Sequence, residues 1–239
     1  MESVRSSSRL TRAPLYYFAV ALGIGFVGFW PSFFSKLPGT DLAHLLHGFS
    51  ATLWMMVPIL QSWLIYRRSY RHHRQLGWVT VLVLAPILVI SGLHMVQLMI
   101  VRYHTTHAIR LLKFAFLDIA ALLLFVVFLG LAVMCARRKD LDGHIRYMAA
   151  TVLLAFEPIL ERVFVNFVPG VPGFAEAAYY SLITLELIVA VLLYFEWRRG
   201  RFRLPFSIVL VFFIAMHILM TPIAMSPRFA AFADWFASV

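Results

Sequence analysis

Seven apolar runs, each near the length of helix that crosses a bilayer, follow one another through the chain with connections too short to hold a soluble domain. They cover residues 15–34, 45–66, 77–101, 114–136, 148–167, 177–197 and 206–225, and about 20 residues of helix are enough to span the hydrocarbon. Backbone in lipid must satisfy its own hydrogen bonds, so each run is expected to be a helix. Sixty-two per cent of the residues are hydrophobic and 13% charged, against about 45–50% and 25% in an ordinary soluble domain. The expected fold is therefore all-α, a polytopic membrane bundle of about seven transmembrane helices. The first run is too long, too rich in glycine and too aromatic for a signal-peptide core and is kept as a helix.

Lys and Arg set the expected orientation. The N-terminal tail holds Arg5, Arg9 and Arg12. The second connection holds Arg67, Arg68, Arg71 and Arg74, the fourth Arg137, Arg138, Lys139 and Arg146, and the sixth Arg198, Arg199, Arg201 and Arg203. Only six of the 21 basic residues are left for the other side. By the positive-inside rule the N-terminus is cytoplasmic and the protein belongs in a bacterial inner membrane. The net charge of +10 is accounted for by these anchoring loops, so lipid, and not nucleic acid, is the expected partner. Residues 1–12 read as a basic cytoplasmic tail, 13–225 as one seven-helix domain and 226–239 as a short outer interfacial helix. Ser226 would cap that last helix, with Pro227 in its first turn and Phe229, Phe232, Trp235 and Phe236 at helical spacing. The single cysteine, Cys135, excludes an intramolecular disulfide and a cysteine metal cage.

Ionisable side chains inside a span cost a few kcal/mol each and are functional hypotheses by default. At about 1.5 Å per residue, several fall in the outer half of the bilayer. Thr40 is the expected cap of the second span, with Asp41 in its first turn and His44 and His47 one turn apart. His94 lies in the third span, Asp118 in the fourth and His217 in the seventh. His94 and His217 are placed to ligate a haem b, while His44, His47 and Asp118 suit a small transition-metal ion, iron or copper. His104 and His107 read as interfacial.

The acids form a second set. Glu157 and Glu161 lie one turn apart in the fifth span beside Arg162 and Pro158, and Glu186 lies in the sixth. One glutamate pairs with Arg162. A surplus carboxyl in an apolar surrounding keeps its proton and becomes a candidate proton carrier or catalytic general acid. On the cytoplasmic side His72, His73 and His144 stand among arginines, as structural locks or lipid-headgroup contacts.

The ordered series "GFVGFWPSFF", "HLLHGFSATLWMMVPILQSWL", "HHRQLGW", an aspartate in the fourth span and "DGHIRYMAATVLL" followed by Pro158 and Arg162 resembles a family of small, largely uncharacterised bacterial inner-membrane proteins. Their pattern reads His-x-x-Gly, a tryptophan, a glutamine, His-Arg-x-Leu-Gly, then His-Lys-Arg-x-Met. The likeness covers residues 25 to 165 and points to His47, Gly48, Trp54, Gln61, His73, Leu76, Gly77, Asp118, His144, Arg146, Met148 and Arg162. It departs at Ile145, where the pattern has a basic residue. A looser likeness, in the helix starts, is to membrane proteins that assist cytochrome oxidase assembly. The leading expectation is a histidine-lined haem or transition-metal site used in electron transfer or oxidase maturation, next to a respiratory membrane complex. The alternatives are a membrane enzyme that protonates a lipid or isoprenoid, a hydrophobic small molecule, through Glu157, Glu161 or Glu186, and a proton-coupled carrier using the same acids.

Overall fold

The computed structural model describes residues 13–238, and in them the chain is all-helical. The basic tail expected at 1–12 lies outside the described residues. Helix α1 spans Ala13–Phe29, and a 3₁₀ turn over Phe34–Gly39 leads to α2, Leu42–Tyr66. Then come α3 (Tyr70–Val79), a π-helical turn (Thr80–Leu84) and α4 (Ala85–Thr106), which run on as one long rod. Helices α5 (Ile109–Arg137), α6 (Leu141–Phe167), α7 (Phe174–Arg198), α8 (Leu204–Ala224) and α9 (Pro227–Ser238) complete the bundle.

Among the described residues five elements are long and apolar enough to cross a membrane: Leu42–Tyr66, Tyr70–Thr106, Ile109–Arg137, Phe174–Arg198 and Leu204–Ala224. Two of the seven expected spans fall outside that set for different reasons. Helix α1 is apolar but has only 17 residues, ending shortly before Pro31, which lacks the N–H a helix would need. Helix α6 has 27 residues but carries Glu157, Glu161 and Arg162. It is the hub of the bundle, packed against α5, α7, α1, α8 and α2. A helix screened by protein on most of its surface can hold charge that a lipid-facing helix cannot. The lipid-facing surface is instead supplied by exposed apolar side chains such as Leu82, Ile90, Leu123, Leu187, Val211 and Ile218.

Local sequence explains the joints. Pro86 has no N–H to donate to the preceding turn, and next to it the Ala85 amide reaches back five residues to the Thr80 carbonyl. The widened π turn absorbs the break. The backbone of Gly28 comes so close to α6 that a Cβ there would stand 2.9 Å from the Ile159 carbonyl oxygen. Gly48 is covered directly by the Phe33 ring. The expected cap moves by one residue: Asp41 caps α2 by accepting from the His44 amide at 3.1 Å, while the Thr40 hydroxyl donates back to the Lys36 carbonyl. That amide holds the Asp41 carboxyl below the usual carboxylate range. At the other terminus Ser226 accepts from the Phe229 amide at 3.2 Å and caps α9. Helix α9 then buries Phe229 and Ala233, and the Gln97 side chain donates to its Phe236 carbonyl.

The connections rich in arginine meet at one end of the bundle. Arg137 stacks on Trp78, the His73 and His144 rings are neighbours, and Arg146 reaches Glu196 and the Arg201 carbonyl. This is the basic end. At the opposite end Tyr179 meets Thr221, and Arg162 meets Phe29.

Candidate functional site

The interior near the opposite end gathers charge that the rest of the core lacks. Glu157 and Glu161 are successive turns of one face of α6, both buried. The Ser181 hydroxyl of α7, also buried, donates to Glu157 Oε1 at 2.6 Å. Glu161 Oε2 stands 3.5 Å from Arg162 Nη1, and Glu161 Oε1 is buried with no hydrogen-bond partner. Arg162 lays its guanidinium over the Phe29 ring of α1 at 4.4 Å. Its Nη1 also donates to the Pro158 carbonyl at 2.9 Å, while its Nε is buried and unpartnered. The internal ion pair expected with Arg162 is thus loose and involves one acid, Glu161.

Two residues assigned from sequence to a metal set belong to this acidic set instead. Asp118 of α5, half-buried, lies within the electrostatic reach of Glu157, Glu161 and Arg162. It forms no hydrogen bond or ion pair among the described residues. His47 of α2 faces α4, with Nδ1 3.4 Å from the Ser91 hydroxyl, and it also feels Arg162. Ser50 shares that hydroxyl at 3.4 Å. All five ionisable groups stand about 8 to 15 Å from their helix ends. Three carboxyls therefore share one arginine. Among the described residues Arg162 is the fixed cation acting on these acids, and an unpartnered ion there costs several kcal/mol.

The other sequence candidates go elsewhere. His44 is exposed and turns to Asp41, Nδ1 to Oδ2 at 2.7 Å, whereas His47 turns inward. His94 is exposed on α4 and contacts Gln97 at 3.3 Å. His217 of α8 meets Glu186 of α7, Nδ1 to Oε1 at 3.1 Å, with the Tyr179 ring packed on it. The Tyr179 hydroxyl bonds Thr221 at 2.8 Å, and Lys113 Nζ lies over the Tyr179 ring. His94 and His217 thus engage separate partners, and Glu186 is paired apart from Glu157 and Glu161. Among the described residues no group of three or more His, Cys, Asp or Glu side chains is drawn together to hold a metal ion.

At the basic end Arg146 is the organiser. Its Nε donates to Glu196 Oε1, and its Nη1 donates to the Asp142 carbonyl at 3.1 Å with Asp142 Oδ1 at 3.4 Å. His144 Nδ1 donates to the Ala132 carbonyl of α5 at 3.0 Å. Beside Arg146 a cleft of about 220 Å³ is lined by Leu192, Phe195, Glu196, Arg199, Arg201 and Phe206. Of the residues grouped from sequence as structural or headgroup contacts, Gln61, His73, His144 and Arg146 stand at this end, while Arg162 stands at the other.

No family model matches the chain, and no curated protein or solved structure matches it.

Proposed function

We propose that this is a multi-pass bacterial inner-membrane protein, crossing seven times with its N-terminus in the cytoplasm, that takes up and releases protons inside the membrane as a proton-coupled carrier. The observation that supports this is the sharing of Arg162 by Asp118, Glu157 and Glu161 in the protein-screened interior around α6. One positive charge offsets one carboxylate. The remaining carboxyls are stable there only as neutral acids, and a neutral acid that can ionise when a path or a cation arrives is a proton carrier. Ser181 on Glu157 and the two serines at His47 supply hydroxyls able both to donate and to accept along such a path.

The test is proton movement across liposomes that contain the purified protein and an entrapped pH-sensitive dye, driven by an imposed potential or pH gradient. The wild type is expected to move protons, and Glu157→Gln is expected to lose about 100-fold or more of that rate, the usual share of a positioned acid–base group. An unchanged rate in Glu157→Gln and Glu161→Gln would overturn the reading.

A second reading, haem or transition-metal binding at His217 for electron transfer or oxidase maturation, is favoured by one observation. Glu186 takes His217 Nδ1 and leaves Nε2 without a hydrogen-bond partner among the described residues, the arrangement of histidines that ligate metals. A visible spectrum of the purified protein decides it: a Soret band lost in His217→Ala supports that reading, and a colourless protein removes haem.

A further inference from the structure

We propose that the cleft beside Arg146 at the basic end is a headgroup site for one anionic glycerophospholipid, its phosphate held by Arg199 and Arg201 and a hydroxyl of its head donating to Glu196. The proton reading makes no use of these residues, and the inference stands independently of it.

The cleft is built by the way α7 ends. Gly200 takes a left-handed conformation, φ 61°, which glycine adopts without the clash a Cβ would bring. Its amide then reaches the Trp197 carbonyl at 3.0 Å, and the Arg201 amide reaches the Glu196 carbonyl at 2.9 Å, the paired closure of a helix C-terminus. The turn folds the chain back, so Arg201 lines the same cleft as Glu196, and the Arg201 carbonyl accepts from Arg146 Nη2 at 3.4 Å. Leu192, Phe195 and Phe206 supply the apolar wall.

Charge and hydrogen bonding define the occupant. Arg146 is taken by Glu196 and Asp142. Arg199 lies over the Phe195 ring at 5.9 Å, and neither it nor Arg201 forms an ion pair among the described residues. Three arginines line the cleft against one glutamate, and with Asp142 beside Arg146 a surplus of one positive charge is left. The exposed Arg198 and Arg203 of the same connection enlarge that surplus. A phosphodiester brings one negative charge, and arginine takes phosphate through two N–H groups at once. A head that carries its own ammonium would leave the surplus in place. Glu196 Oε2 is buried with no hydrogen-bond partner, an acceptor in want of a donor. Arg146 already offsets its charge, so a neutral hydroxyl is sufficient. A phosphoglycerol head has both the phosphate and the hydroxyl.

Size and level fit a lipid. The cleft of about 220 Å³ is smaller than the roughly 300–1,000 Å³ of pockets that enclose a whole ligand, so it admits a head whose chains lie outside. Those chains have a track in Phe195, Val191 and Leu187, exposed at four-residue spacing along one face of α7. Tyr194 and Trp197, in ring contact with each other and exposed beside the cleft, are of the kind that marks headgroup level in membrane proteins.

Full-length protein in detergent, stripped of lipid, is titrated with phosphatidylglycerol and separately with phosphatidylethanolamine of the same chains, and bound lipid is counted by native mass spectrometry. The expected result is one phosphatidylglycerol per chain, held more tightly than phosphatidylethanolamine. Its affinity should fall about five-fold in Arg199→Gln or Arg201→Gln and about 30-fold in the double variant. The pair Arg71→Gln and Arg74→Gln removes the same charge from α3 and should bind like the wild type. All four side chains are exposed, so the variants should keep the wild-type Tm in the absence of lipid. Phosphatidylmethanol, a phosphodiester of the same charge without a hydroxyl, should bind about five-fold more weakly than phosphatidylglycerol. Glycerophosphoglycerol, the same head without chains, should not displace the lipid. Equal binding of phosphatidylglycerol and phosphatidylethanolamine, or of phosphatidylglycerol and phosphatidylmethanol, overturns the proposal. So does binding indifferent to Arg199 and Arg201, an equal loss in the α3 variant, or displacement by the soluble head.

Discussion

The two ends of α6 treat charge in opposite ways. Near its N-terminus Arg146, largely buried, is met by Glu196 and Asp142 and by two backbone carbonyls, so the cation has partners in excess. Toward its C-terminus Arg162 faces Asp118, Glu157 and Glu161, and it is the acids that are in excess; each end keeps one buried carboxylate oxygen unpaired, Glu161 Oε1 here and Glu196 Oε2 there, but only here is the cation's own Nε unpaired as well. A saturated cation is what a structural tie needs. A shortage of cations leaves acids whose charge depends on whether a proton is present, and that is the state the proposed proton uptake needs.

Four substitutions break or sharpen this contrast. Arg162→Met should have the largest effect: removing the one cation from a buried acidic set costs about 3–5 kcal/mol, read as poor accumulation in the membrane or a large fall in Tm, with Arg162→Lys recovering part of it. Arg146→Met should cost less, about 2 kcal/mol, because one of its two acidic partners, Asp142, is exposed and keeps its hydration when the guanidinium is gone. It should leave proton movement unchanged, and a loss of flux there would erase the distinction between the two ends. Glu157→Gln should change stability by under about 1 kcal/mol, since an amide oxygen accepts from Ser181 as a neutral carboxyl oxygen does, yet it should remove proton movement. The smallest effect belongs to Asp41→Ala at the exposed start of α2. The Asp41 carboxyl is held below its ordinary range in the folded state, so its help is present above the unfolded-state value and is lost as pH falls through the folded one. The difference in Tm between Asp41→Ala and wild type should therefore shrink on acidification, measured from neutral pH downward.

Much of the scaffold was legible in the sequence because lipid imposes an apolar period that needs no tertiary information. Helices α2, α5, α7 and α8 begin and end within several residues of their apolar runs. The errors fell where charge enters a helix. Helix α6 starts at Leu141, capped by Asp140 through the Gly143 amide, whereas the apolar run begins only at 148. Helix α3 starts at Tyr70 because Arg71 and Arg74 sit on a helical turn at the bundle end, not in a loop. The membership of the site was harder. Rise per residue gives depth along a helix, so Asp118 and His47 are each placed at a useful level by sequence alone. It does not say which way a side chain points around the axis. His47 and His44 looked like one face and part company, and Asp118, expected beside histidines, sides with glutamates. Ser181 carried no signal at all, since a lone serine in an apolar run has the same appearance whether it bonds a neighbouring acid or its own backbone.

The proposed proton uptake requires that some of the carboxyls around Arg162 be neutral acids at neutral pH. Infrared spectroscopy of the protein in membranes reads this directly, because the stretch of a protonated carboxyl is separate from that of a carboxylate. The account predicts a protonated-carboxyl band in the wild type that weakens in Glu157→Gln, in Glu161→Gln or in Asp118→Asn and is untouched in Glu196→Gln. Absence of that band, or a band that follows Glu196 alone, would contradict it.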